Sequence, residues 1–492
     1  MDNSLGELSP KTLWNNFTNL NAVPRPSKKE ERVIAFIQDF GKRLELETHK
    51  DDNGNVIIKK PASKGMENRV TVSLQGHLDM VHQKNAGTVF DFSSQGIDMF
   101  VDGDWVKARG TTLGADNGIG VAAIMSVLAD ADIIHPPIEA LFTIDEETGM
   151  SGALGLKGGL LNARIMLNLD TEDDNELTIG CAGGVDVTAT GSYDMAGIPE
   201  SSAAWCITLK GLAGGHSGMD IHKGRGNANK LMNRILLAAV KEFGLQISTI
   251  DGGGLRNAIP RESIAVVVVP IPDEEEFKNF IRMEEEVLKA EYHSTDPNLS
   301  LALESCALPT KLINDSFCYK FLRSIYACPS GISRMSPDIP GLVQTSNNLA
   351  RVLVQDGEFS VLCLTRSAVD TEKTDLAKAV QSAFELCGAT IEFSGDFPGW
   401  APHPEAPIVQ LMSQLYKERY GEEALVNACH AALECGIIGA NYPHIQMISF
   451  GPNIRGAHSP DEKVQISSVQ KFWGFLLETL KRIPERAAKI PA

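Results

Sequence analysis

Acidic and imidazole side chains stand where short apolar runs end, and these run-ends are spread over most of the 492-residue chain. Runs at 70–75, 138–144, 165–169 and 445–450 lead into His77-Leu78-Asp79, Asp145-Glu146-Glu147, Asp170-Thr171-Glu172 and the loop that carries His458. Their length and β-branched content read as buried strands. Between them lie helical patterns. Val33, Ile34, Ile37, Phe40 and Leu44 follow Ser27-Lys28-Lys29-Glu30, which fits a capping box, and an apolar helix follows Asn117. Strands separated by helices make an α/β domain with a mixed or parallel sheet covered on both faces by helices. Loops at strand ends are where such folds gather reactive side chains.

The alternation changes near Gly180-Cys181-Ala182-Gly183-Gly184. A strand at 205–209, a glycine loop, a helix at 229–242, a strand at 263–270 and a charged helix at 273–291 read as an inserted α+β unit. Phe397-Pro398-Gly399-Trp400-Ala401-Pro402-His403-Pro404 marks the return, since its three prolines stop any helix. The expected division is therefore 1–186 and 397–492 for one domain and 187–396 for the insertion. No internal repeat and no low-complexity tract is visible.

Composition removes several classes of function. A hydrophobic share of 43% supplies a large core, and a net charge of −18 disfavours nucleic acid and anionic membrane surfaces. The apolar stretch at 118–129 is short of the roughly 20 residues that a membrane span needs. The start, Met1-Asp2-Asn3-Ser4, lacks the basic and apolar regions of a signal peptide. Nine scattered cysteines without C-x-x-C read as reduced thiols of a cytoplasmic protein.

Strand alternation puts His77 and Asp79 on one side. A histidine with a carboxylate two residues on suits a metal ligand and the group that orients it. The alternative is a polar pair on an exposed strand face. Asp116, in Leu113-Gly114-Ala115-Asp116-Asn117-Gly118, either reaches a cation or, with Asn117, caps the helix. Asp145, Glu146 and Glu147 repel one another; a dication relieves this and leaves one acid to act as a base, whereas a solvated acidic turn is the plainer reading. Together the five segments supply His, Asp, Glu, Asp and His. That is a donor set for two divalent ions, zinc or else cobalt or manganese, without the thiolates of a structural zinc site.

GHLDMV, ARGTTLGADNGIG, the Glu146-Glu147 pair, NLDTE, GCAGG, GGHSG, NANKL, LRNAIPRE, ALECG and GPNIRGAHSPDE stand in an order that resembles the co-catalytic dinuclear zinc exopeptidases. Within them the chain is most similar to dipeptidases that cleave Xaa-His dipeptides. The resemblance covers the whole chain. It implies that Asp116 bridges two metals, with His77 and Asp170 on one and Glu147 and His458 on the other. Glu146 would be the general base acting on a metal-bridged water, and Asp79 would orient His77. It also implies that the insertion is a lid or dimerisation domain. From that unit His216 would reach the scissile carbonyl, and Asn257 and Arg366 would hold substrate, Arg366 at the C-terminal carboxylate. For His216 the plainer reading is a histidine in a glycine turn, and for Arg366 a strand-end arginine. The implied protein is a cytoplasmic homodimer acting on small unblocked dipeptides such as β-alanyl-histidine. An aminoacylase, a tripeptidase or a non-catalytic metal-binding protein on the same scaffold are the alternatives.

Overall fold

Continuous apolar character, without alternation, decides how the central strands pair. Val72–His77, Ile138–Thr143 and Ile165–Asn168 are buried at every residue, as parallel strands covered on both faces must be. Val72–His77 lies between the other two and is parallel to both, with His77 opposite Thr143 and Gln75 opposite Asn168. Gln446–Ser449 runs parallel to Ile165–Asn168 on the far side. The eight-stranded order is Glu47–Lys50, Val56–Lys60, Ile138–Thr143, Val72–His77, Ile165–Asn168, Gln446–Ser449, Glu176–Cys181, Leu425–Cys429. Four neighbouring parallel strands therefore release their chains from one edge of the sheet. The segments that leave there are those carrying His77, Asp145 to Glu147, Asp170 and, farther on, His458.

The computed structural model describes residues 5–486. The chain separates into two compact units: Met1–Gly180 with Pro402–Ala428 and Leu433–Ala492, and Cys181–Ala401 with Cys429–Ala432. In the first unit the Ala115–Ala129 helix is buried on all sides and packs against Lys11–Asn21 and Val72–His77. A helix that is apolar all round has nowhere to go but the core. A small sheet of Met99–Asp102, Trp105–Ala108, Lys463–Gln465 and Ile454–Arg455 carries the loop that bears His458. Among the described residues, no helix is long and apolar enough to cross a membrane.

The capping box expected at Ser27 is absent. Glu30 is itself the residue before the Glu31–Arg43 helix and makes no side-chain cap. The Ser27 hydroxyl instead donates to Asp79 Oδ2 at 2.8 Å. A buried carboxylate outbid the helix end for that hydrogen.

The second unit holds an internal duplication that no sequence repeat announces. Ser202–Lys210, helix Ala228–Phe243, Gln246–Gly253, Ser263–Pro270, helix Glu274–Glu291 and Ser300–Ser305 form one β-α-β-β-α-β set. Gly183–Ser192, helix Asp315–Ala327, Val343–Gln355, Glu358–Ser367, helix Asp370–Glu385 and Thr390–Phe397 form another, with the first inserted after its opening strand. Both have the spatial strand order fourth, first, third, second, and they join where Gln246–Gly253 pairs antiparallel with Val343–Gln355. One apolar core runs beneath both sets. Such a set needs only strand and helix periodicities in the right order, so its two copies share a pattern and not residues.

Candidate metal centre and substrate residues

His77 ends its strand with the imidazole buried. Its Nε2 lies 3.1 Å from Asp116 Oδ1 and 3.5 Å from Asp170 Oδ1. The other oxygen of Asp116, Oδ2, lies 3.2 Å from His458 Nε2, which is also 3.0 Å from Glu147 Oε2. Asp116 thus faces two imidazoles, one through each oxygen. Three triads of donor atoms lie within 4.8 Å of one another: His77, Asp116 and Asp170; Asp116, Glu147 and His458; and His77, Glu146 and Glu147.

The turns that carry Asp116, Glu146 and Glu147 are held through their backbone by groups distant in sequence. The Gly114 backbone is left-handed, at φ 70°, and the peptide groups of Leu113 to Asp116 converge on the buried Glu462. Its Oε2 accepts from Leu113 and Gly114 at 2.7 and 2.9 Å, and its Oε1 from Ala115 and Asp116 at 2.7 and 3.3 Å. Capping is therefore done by Glu462, which leaves the Asp116 carboxylate to the imidazoles. Asp79 stands behind His77, its Oδ1 3.4 Å from Nδ1. The same carboxylate accepts the N–H groups of Glu146 at 3.0 Å and Glu147 at 3.2 Å. Of the three consecutive acids, Asp145 turns away, with φ 55°, to Lys28 at 3.3 Å and to the hydroxyls of Ser151 and Thr148.

The donors fit divalent cations. Glu147 Oε1 is buried without a hydrogen-bond partner and Asp170 Oδ1 has only the His77 ring, 3.5 Å away, so a cation would complete both carboxylates. All donors are nitrogen or oxygen, the set used by hydrolytic ions. Titration tells the same story. Burial works against a charged His77, yet Asp170, Asp116 and Asp79 hold it well above the usual imidazole range. Hydrogen bonds to Asp116 and Glu147 push His458 up to about 11. Burial opposes ionisation of Asp116, but His458 and His77 hold it well below the usual carboxylate range. Burial, with Asp116 and Glu147 adding to it against His77, pushes Asp170 up to about 6. Burial also lifts Glu146 well above its ordinary value; His77 opposes this, and Asp170, Glu434 and Glu147 add to it. A divalent metal would supply the positive charge that the two imidazoles otherwise provide to these crowded acids.

Four neighbours carry no role in the sequence reading. Glu434 is fully buried, and burial pushes it up to about 7. Burial likewise pushes Glu462 to about 7 and Glu172 to about 8. Arg25, buried, donates to the carbonyls of Leu78, Asp79 and Gly114 and to Asn21 Oδ1. A lone acid inside the apolar Ala431–Leu433 and Cys435–Ile438 flanks was the available signal for Glu434.

His216, Asn257 and Arg366 belong to the second unit. His216 Nδ1 accepts the N–H groups of Gly218 and Met219, both at 3.1 Å. In the neutral ring the proton therefore sits on Nε2, which becomes a donor. Burial and Arg366 lower the His216 pKa, with Asp220 opposing. His216 pairs with Ala258 on a two-residue ribbon, and the exposed Asn257 accepts the Ser217 N–H through its carbonyl at 2.7 Å. Arg366 is buried, its Nε 3.3 Å from Ser217 Oγ.

A profile of the peptidase family M20/M25/M40 matches residues 73–482. The cytosol non-specific dipeptidase of Escherichia coli (strain K12) is 42% identical over 482 residues, spanning 98% of this chain and 99% of that protein. The crystal structure of an aminoacylhistidine dipeptidase from Vibrio alginolyticus superposes with a TM-score of 0.93 at 42% identity, over 99% of this chain and 100% of that one. The aminopeptidase PepT of Bacillus cereus ATCC 10987 shares the fold alone, with a TM-score of 0.57 at 15% identity over 97% of this chain and 100% of that one. With its donors gathered at the ends of parallel strands and its similarity running the length of the chain, this protein belongs to peptidase family M20/M25/M40, the metal-dependent hydrolases of peptide bonds.

Proposed function

We propose that the protein is a dipeptidase that hydrolyses unblocked dipeptides, Xaa-His dipeptides such as β-alanyl-histidine included, at a pair of divalent ions, with zinc ahead of cobalt or manganese. The observation that carries this reading is Asp116, whose two oxygens face His77 and His458 separately. On this reading Asp116, His77, Asp170, Glu147 and His458 would hold the ions, with Asp116 common to both groups of donors. Ions held there would supply Lewis acidity toward the peptide carbonyl and the attacking water.

Glu146 is the general base. It takes a proton from the attacking water and returns it to the departing amine nitrogen. Asp79 holds the His77 ring and, through the Glu146 and Glu147 N–H groups, the acidic turn itself. His216 donates from Nε2 to the carbonyl oxygen as charge develops there, because its Nδ1 is already occupied. Arg366 and Asn257 hold the substrate, Arg366 at its C-terminal carboxylate. Residues 187–396 act as a lid and dimerisation domain, and the protein works as a cytoplasmic homodimer; the names of the two 42%-identical relatives support the substrate class and the compartment. The test is metal content together with turnover of a dipeptide, its N-acetyl form and a tripeptide. Chelator-stripped protein is expected to lose activity and to regain it with Zn2+, and only the free dipeptide is expected to be cleaved. Full activity without metal refutes the reading.

A further inference from the structure

Glu434 stands at the start of the Glu434–Asn441 helix with its carboxyl enclosed and only 1% of the residue exposed. Its Oε2 accepts from Gln75 Nε2 at 2.7 Å and from Thr143 Oγ1 at 2.6 Å. Gln75 is two residues before His77 on the same strand face, and Thr143 is paired opposite His77. The carboxyl is therefore pinned beside the strand ends that carry the donors. It feels the charges of His77, Asp170 and Asp79, and its own charge acts on Glu146.

Glu434 Oε1 has no hydrogen-bond partner. Both donors to Oε2 are neutral, and Glu434 belongs to none of the donor triads. A buried carboxylate with one saturated and one empty oxygen calls for a cationic donor. An unblocked peptide brings such a donor to the reacting centre: its terminal ammonium, tethered close to the carbonyl under attack. We propose that Glu434 accepts the free amino group of the substrate and so sets the requirement for an unblocked N terminus. This deepens the dipeptidase reading and rests on it. A site built around a substrate N–H rejects the analogue that lacks it, because the buried acceptor then stays unpaired.

The test compares L-alanyl-L-histidine with propionyl-L-histidine, which differs only in lacking the amine, in wild type and in Glu434→Gln. The exchange keeps the shape and removes the charge. For alanyl-histidine, kcat/KM is expected to fall roughly 10- to 100-fold, mainly through KM, with a much smaller change for the propionyl compound, so that discrimination collapses. Where turnover of the propionyl compound is too slow to follow, its Ki against alanyl-histidine is the second measure. Equal loss on both compounds, or undiminished discrimination, overturns the inference. If Glu434→Gln does not fold, Glu434→Asp carries the test: it should raise KM for alanyl-histidine while keeping the preference for the amine, and an unchanged KM or a lost preference overturns the assignment. A wild type that cleaves neither compound overturns the dipeptidase reading itself, and this inference with it.

Discussion

Replacing Asp79 by asparagine tests whether one carboxylate organises both halves of the acidic cluster. Asp79 Oδ1 serves the Glu146 N–H at 3.0 Å and His77 Nδ1 at 3.4 Å; Oδ2 serves the Glu147 N–H at 3.2 Å and Ser27 Oγ at 2.8 Å. An amide has a single oxygen. Its best orientation keeps that oxygen toward Glu146 and His77 and turns the NH2 toward Ser27 and Glu147. Ser27 can adapt by donating to the Met80 carbonyl, 3.4 Å away, but the Glu147 N–H is stranded. One buried, unpaired N–H costs about 1–3 kcal/mol. The charge behind His77 is lost as well, and losses of this kind weaken metal binding by roughly 10- to 100-fold. The pH dependence has a definite sign. Burial alone would raise Asp79, yet its bonds to His77, Ser27 and the Glu146 N–H hold it below 3.8. Its stabilisation is therefore present above that value and lost as pH falls through the lower native one, so wild type and Asp79→Asn converge only in acid. Urea unfolding of the metal-free proteins at neutral pH measures the first term, and Zn2+ competition against a chromophoric chelator measures the second. Unchanged unfolding together with affinity within about twofold of wild type would refute the reasoning.

Glu146→Gln should keep its fold and metal content while kcat falls by about 10²- to 10⁴-fold, since it removes a proton carrier and no ligand; metal analysis beside steady-state kinetics checks this. In metal-free protein His77 and His458 are both held charged, so loading at neutral pH should release about two protons, read by calorimetry in buffers of different ionisation enthalpy. For His458 the native value of about 11 exceeds the ordinary 6.5, so its stabilisation is complete below 6.5 and lost as pH rises toward 11. The melting temperature of the metal-free protein should accordingly decline over that window, and the loaded protein should not share the decline. Arg25→Met strips the buried donor from the Leu78, Asp79 and Gly114 carbonyls and leaves Glu462 and Asp79 without its charge, which should cost about 3–5 kcal/mol in urea unfolding.

The strands and the donor types were legible locally, because burial and period leave their mark within a few residues. Val72–His77 shows its apolar run, and His77, Asp116, Glu147, Asp170 and His458 show their chemistry. Partner choice was not legible. Asp116 had every local reason to cap a helix, and it is excused from that by Glu462, 346 residues away. Asp145 and Glu146 look alike in sequence, and Lys28, 117 residues from Asp145, separates them. Ser27 has the spacing of a cap and serves Asp79 instead. Glu434 looked like a stray acid in an apolar segment until Gln75 and Thr143 closed on it. The duplicated second unit left no repeat to read, because period alone suffices to build it. Local residue order was enough to set which elements form and which reactive groups stand at their ends. Which charge meets which was settled by the folded arrangement, because electrostatics and hydrogen bonding act through space, and sheet order sets those distances without regard to position along the chain.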